Sequence, residues 1–174
     1  MKTLEISVAK PNESEDITEV IFKTWLVTYP NEEYGITVDD IEYRFKDRFT
    51  PENIQKRREK IINPSKGETL LVVKNKNKVI GMCRVVIKDD RNQLQAIYVL
   101  PEYQGKGIGT MLWTEAQKYF DDTKDIYVEL AVYNKSAEEF YKKLGFVDTG
   151  RRIMDEKLRM KSGNIIPEME MIKK

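Results

Sequence analysis

The sequence predicts a mixed α/β fold in a single domain, and three observations predict it. Three amphipathic helical stretches near the start are followed by three strand-like runs joined through short polar turns. The third of those runs ends in a glycine-rich turn that opens another helix. A strand, a short helix and two further strands complete the order βααα, three strands, αβα and two strands. No repeat, low-complexity tract or linker interrupts the 174 residues, a length suited to one domain with a substantial core.

Taken in order, Leu4 to Ala9 alternates as a short strand. Ser14 is placed to cap a helix with Ile17, Val20, Ile21, Thr24, Trp25 and Thr28 on one side, and Pro30 ends it. Thr37 opens a second helix, with Asp39 and Asp40 in its first turn where negative charge suits the helix dipole. Thr50-Pro51 opens a third, a capping residue followed by proline at the first helical position, which runs to about Ile62. "ETLLVVK" and "KVIGMCRVVIK" read as strands around a turn at Asn75 to Asn77, and "DDRN" turns into "QLQAIYV". Beyond the glycines, Ile108, Met111, Leu112, Ala116 and Tyr119 form a helical stripe. "IYVELAV" is the next strand. Ser136 and Glu139 read as a capping box for a short helix that Gly145 closes. "FVDTG" and "IPEMEMI" are the last strands, separated by a basic stretch, Arg151 to Lys161.

Composition narrows the function. Thirty Lys and Arg nearly cancel 29 Asp and Glu, so the net charge of +1 gives no global attraction to nucleic acid or to an anionic membrane. No apolar run approaches the ~20 residues of a membrane span, and the start lacks a signal-peptide core. The single cysteine, Cys83, allows no internal disulfide and points to a reducing cytoplasm. There is no histidine, which excludes Ser-His-Asp and Cys-His catalysis and any His-ligated metal site. No metal is expected. Acid–base work falls to Asp, Glu, Tyr, Lys or Cys.

The stretch "YVLPEYQGKGIGT" concentrates glycine at the strand-to-helix junction, at Gly105, Gly107 and Gly109. Such a junction suits phosphate, because the helix start offers unpaired N–H groups and partial positive charge. A nucleoside-triphosphate loop needs a hydroxyl after its Gly-Lys, but Lys106 is followed by Gly107. A dinucleotide fingerprint needs G-x-G-x-x-G, which the Gly105-Lys106-Gly107-Ile108-Gly109 spacing does not meet.

The spacing Gln104-x-x-Gly107-x-Gly109 after "IYVLPEY" instead resembles the pyrophosphate motif of the GNAT superfamily, the acetyl-CoA-dependent N-acetyltransferases. "VELAVYNKSAEEFYKKLGF" resembles the second half of the same pattern, with Glu129, Asn134 and Tyr141 spaced as in members that acetylate protein N-termini. The resemblance covers roughly Val79 to Gly150 well and the first 65 residues only in outline. It implies a GNAT fold with one mixed sheet of about seven strands, whose central parallel strands splay apart. Residues 5–65 would form the acceptor side, 69–150 the acetyl-CoA-binding core and 151–174 a C-terminal strand region. By resemblance, backbone groups of Ile97, Tyr98 and Val99 pair with the pantetheine arm. Amides of Gln104, Gly105, Lys106, Gly107, Ile108, Gly109 and Thr110 surround the pyrophosphate, the glycines keeping side chains out of the way. Asn134 hydrogen-bonds the cofactor, and Tyr141 both contacts it and protonates the leaving thiolate.

An amine attacks a thioester only when neutral, and deprotonating a lysine-like amine at pH 7 costs about 4.6 kcal/mol. Glu129 is the expected base, with a salt bridge to a nearby Lys or Arg as the alternative. Gln93 and Gln95 on the preceding strand cannot take the proton. Cys83 lies mid-strand among apolar residues, so direct transfer in a ternary complex is expected over a covalent route. The acceptor is a small-molecule or peptide amine. Aromatics Trp25, Tyr29 and Tyr34 beside Glu32, Glu33, Asp39 and Asp40 suit a polyamine, whereas the Glu129, Asn134 and Tyr141 spacing suits a peptide N-terminus. A catalytically silent acyl-CoA sensor is the competing class. The C-terminal strands, as edges, offer a homodimer contact.

Overall fold

Alternating apolar residues build a single sheet of seven strands in this computed structural model, which describes residues 4–174. The strands are β1 (Leu4–Val8), β2 (Glu68–Asn75), β3 (Lys78–Ile87), β4 (Asn92–Val99), β5 (Ile126–Ala131), β6 (Val147–Ile153) and β7 (Glu168–Lys173), ordered β1-β2-β3-β4-β5-β7-β6. Every pairing is antiparallel except β4 with β5. That parallel pair is short, covering only Asn92↔Ile126, Gln93↔Tyr127 and Leu94↔Val128. On the other side of β4 the register steps from Arg84↔Ala96 to Val85↔Leu94, leaving Gln95 as a bulge. A bulge bends its strand, and this one falls where the pairing with β5 stops. The splayed strands thus follow from a one-residue irregularity.

The helices are α1 (Ser14–Thr28), α2 (Val38–Phe45), α3 (Pro51–Ile62), α4 (Ile108–Ala116) and α5 (Lys135–Lys143). Thr37 and Thr50 cap α2 and α3 as expected, accepting from Asp40 N and Asn53 N. Two other starts differ from the sequence reading. Helix α1 begins at Ser14 itself, with Glu13 in the cap position. Helix α5 is capped by Asn134, whose Oδ1 accepts from Ala137 N at 3.1 Å, so Ser136 lies inside the helix. The C-terminal region differs as well. Strand β6 runs on through Arg151 and Arg152 instead of stopping at Gly150, and β7 is interior, between β5 and β6. Only β6 of that pair is an edge.

Two buried clusters hold these layers together. The larger joins both faces of β2–β5 and includes Ile17, Leu71, Cys83, Leu94, Leu112 and Phe146. The smaller ties Trp25, Ile36, Ile41, Phe45 and Ala131 to Met160 and Ile166 of the β6–β7 connection. Asp40, only 1% exposed, fastens that connection to α2. Its carboxylate accepts from Thr37 N and from Ser162 N at 2.9 and 2.7 Å. Burial works against its charge, yet these bonds keep its pKa below the ordinary value.

Candidate active site

Past Leu94 and Val128 the gap between β4 and β5 opens into a cleft of about 710 Å³. Ile97, Tyr98 and Val99 border it on one side, and Glu129 on the other. Gln104, Gly105, Gly107, Ile108, Gly109 and Thr110 close one end, with Asn134 and Tyr141 beside them. Lys106 is the one expected site residue that does not line the cleft. Its ammonium turns back onto Glu102 O at 2.7 Å and the Tyr103 ring.

The three glycines divide into two roles. Gly105 and Gly107 have φ of 72° and 78°, a left-handed backbone that favours glycine, and a Cβ at either would meet nothing within 4 Å. Gly107 is the N-cap of α4 and no side chain caps it, so the first-turn amides face open space. These two positions fit an incoming diphosphate, both by shape and by donor type. Gly109 has an ordinary φ, and its Cβ would stand 3.4 Å from the Phe140 ring. It thus adds a contact with α5 to its place in the cleft lining. Gln104 has a structural task too: its Nε2 donates to Val99 O at 2.9 Å, and Thr24 Oγ1 donates to the same oxygen at 3.3 Å. The Val99 carbonyl is therefore already engaged.

Tyr141 is 6% exposed, packs edge-on against Phe140 and Phe146, and has its hydroxyl pKa pushed well up by burial. It holds its proton across the working pH range. Asn134 uses its carbonyl oxygen as the α5 cap, which leaves the amide NH₂ as a donor beside the cleft. Cys83 is fully buried and its thiol is pushed up to about 12, the state of a core thiol and not of a nucleophile.

On the opposite face of the sheet lies a larger cavity of about 980 Å³, lined by α1–α3 residues, β2–β5 and the β6–β7 connection. The two cavities share Tyr29, Gln95, Ala96, Tyr98 and Glu129. Tyr98 Oη accepts from Trp25 Nε1 at 3.2 Å and lies 3.5 Å from Tyr29 Oη, so α1 fixes the shared wall. Among the described residues Glu129 forms no salt bridge; its cross-strand partner Glu170 takes Arg91 and Arg151, each at 3.1 Å.

A second carboxyl stands here that the sequence reading missed. Glu168, opposite Ala131 on β7, is a diagonal neighbour of Glu129 on the same sheet face. Burial, the Glu129 charge and the Asp155 charge raise its pKa from 4.5 to about 7. Its signal lay in "IPEMEMI", where alternation puts Glu168 and Glu170 on one face. The acidic loop fares otherwise. Asp39 pairs with Lys161 at 2.9 Å, Asp40 is consumed by Thr37 and Ser162, and neither Glu32 nor Glu33 lines either cavity.

With this arrangement in view, residues 24–146 match the sequence profile of the Acetyltransferase (GNAT) family. The chain belongs to the GNAT family. Over 56 residues it is 45% identical to an uncharacterized N-acetyltransferase of Methanocaldococcus jannaschii, covering 31% of this chain and 25% of that protein. Over 84 residues it is 31% identical to a Bacillus subtilis protein named for alanine N-acetylation of ribosomal protein bS18, covering 47% and 56%. The chain thus spans a quarter to just over half the length of these curated relatives. In fold this GNAT chain is similar to the PaiA N-acetyltransferase of Thermoplasma acidophilum, solved with coenzyme A. The two share a TM-score of 0.74 and 22% identity over 99% of each chain. Glu168 lies outside the matched span, which is where family patterning is silent. Among the described residues no helix is long and apolar enough to cross a membrane.

Proposed function

We propose that this protein is an N-acetyltransferase that moves an acetyl group from acetyl-CoA to a primary amine, both held in one ternary complex. One observation carries the reading: a cleft fitted to a diphosphate and a separate cavity on the other sheet face meet at Glu129, with Glu168 beside it. Two substrates can therefore enter from opposite sides and touch at one point.

When bound, acetyl-CoA supplies an acyl group already activated as a thioester. The amides from Gly105 to Thr110 hold its diphosphate, and the backbone of Ile97, which points away from β3, aligns the arm along β4 together with the Val99 N–H. The carboxylate pair Glu129 and Glu168 receives the amine's proton. A pKa near 7 makes Glu168 a stronger base than an ordinary carboxylate while leaving it about half ionised at neutral pH. Tyr141, kept protonated by burial, donates to the departing sulfur. Cys83 takes no part, because burial keeps its thiol neutral.

Thiol release from acetyl-CoA with a panel of amines tests the reading. Saturable release that falls in Glu168→Gln and Tyr141→Phe is expected. Saturable acetyl-CoA binding with no release from any amine would replace the enzyme with a sensor.

A further inference from the structure

We infer that the amine acceptor also carries an anionic group, a carboxylate or a phosphate, which is bound in the acceptor cavity by Arg44, Arg48 and Arg57. This deepens the transferase reading and rests on it for the position of the amine.

The three guanidinium groups come from α2, from the α2–α3 connection and from α3, and all line the larger cavity. Among the described residues none of them forms a salt bridge, although 29 acidic residues are present in the chain. Arg44 is held in place over the Trp25 ring, 5.0 Å from its centroid, and by donation to Lys157 O at 3.0 Å. The groups crowd one another. Burial and the neighbouring Arg48 lower the pKa of Arg44; burial, Arg48 and Arg84 lower that of Arg57. Gathering like charges at a half-buried wall without counter-ions is unfavourable, and an anionic ligand relieves it. Guanidinium also matches carboxylate and phosphate by bidentate geometry.

Two residues that line the same cavity carry a polar atom with no partner among the described residues. Arg84 pairs with Glu68 at 2.9 Å, yet its Nε is buried with no hydrogen-bond partner. Gln93 is 4% exposed and its Oε1 likewise has no partner. Buried polar groups are normally satisfied, and a small turn of either side chain toward the cavity would bring its free atom to a polar ligand. Of the five acids that line the cavity, Glu68 pairs with Arg84 and Glu59 accepts from Gln55, whereas Glu129, Glu168 and Asp155 influence one another near β5 and β7. The cavity therefore has an acidic region for the ammonium and a basic region for an anion. A polyamine, cationic along its whole length, meets repulsion at the arginines.

The probes are ω-amino carboxylates and ω-aminoalkyl phosphates of graded chain length, their matched ω-amino alcohols, and spermidine. Each is tested on the full chain for binding in the presence of CoA, by calorimetry, and for thiol release from acetyl-CoA. Anionic members should bind, and show kcat/KM, roughly tenfold to a hundredfold better than the matched alcohols. The better of the two series identifies the anion. In the Arg48→Gln, Arg57→Gln double variant that preference should collapse toward one, and Arg57→Lys should retain part of it. If the double variant does not fold, the exposed single change Arg48→Gln serves the same comparison. Equal treatment of alcohols and anionic amines, a preference for spermidine, or a preference that survives the variants would overturn the anion site. Tight binding of anionic amines without thiol release would sustain the anion site and reject the transferase instead. Release that favours spermidine would do the reverse.

Discussion

The two sides of the sheet are built on different principles. At its α4 end the cleft between β4 and β5 presents backbone: first-turn amides of α4 and two left-handed glycines that leave space empty. The acceptor cavity presents side chains, with carboxyls from β5 and β7 and guanidiniums from α2 and α3. A backbone site recognises what a cofactor always brings, a diphosphate and an extended arm, and tolerates little change in its few glycines. A side-chain site can be rewritten one residue at a time, so on the proposed function the larger cavity is the part of this chain that sets which amine is accepted.

The expected largest effect is on the acceptor side. Glu168→Gln should lower kcat/KM for amine acetylation about 10²–10⁴-fold and remove the acid limb of the pH profile near pH 7, the region of the Glu168 pKa. An intact limb would return the base role to Glu129 alone. The cofactor side should respond through shape. Gly109→Val drives a branched side chain into Phe140 and should cost about 1–3 kcal/mol in urea unfolding. Gly107→Val strains a φ of 78° by about 1–2 kcal/mol and intrudes on the cleft, so calorimetry should find CoA bound roughly tenfold more weakly or worse. If both glycine variants lost only stability, the division of roles between them would be wrong. Asn134→Ala removes the α5 cap and should cost about 1 kcal/mol, read from the urea midpoint.

A further expected effect is on stability against pH. The folded protein holds the Glu168 proton up to about pH 7, whereas the unfolded chain releases it near 4.5. This group's contribution is therefore fully present below pH 4.5 and is lost as pH rises through 7. Wild type minus Glu168→Gln stability should fall between about pH 5 and about pH 8; a rise over that interval would contradict the burial of this carboxyl.

Much of the cofactor side was legible because its determinants are contiguous. Gly105 and Gly107 sit within a few residues of the strand and helix they join, and Asn134 and Tyr141 fall on one short segment. Even there, local reading placed the α5 cap on Ser136, because two neighbouring capping residues compete and only packing selects Asn134. On the acceptor side the local cluster of acids and aromatics is only part of the picture: Trp25 and Tyr29 line the larger cavity, while Asp39 and Asp40 meet distant partners, Lys161 and Ser162, that no local pattern announces.

The sequence alone determined the alternation of strands and helices, the uncapped glycine start of α4 and the absence of histidine, since each depends on residue type or on spacing within a turn or two. Tertiary structure decided which charges meet. The β5–β7 register sets Glu168 beside Glu129 across nearly forty residues of intervening chain, and helix packing gathers Arg44, Arg48 and Arg57 at one wall. Coulomb and desolvation energies act through space and not along the chain, so no local pattern in the sequence announces them.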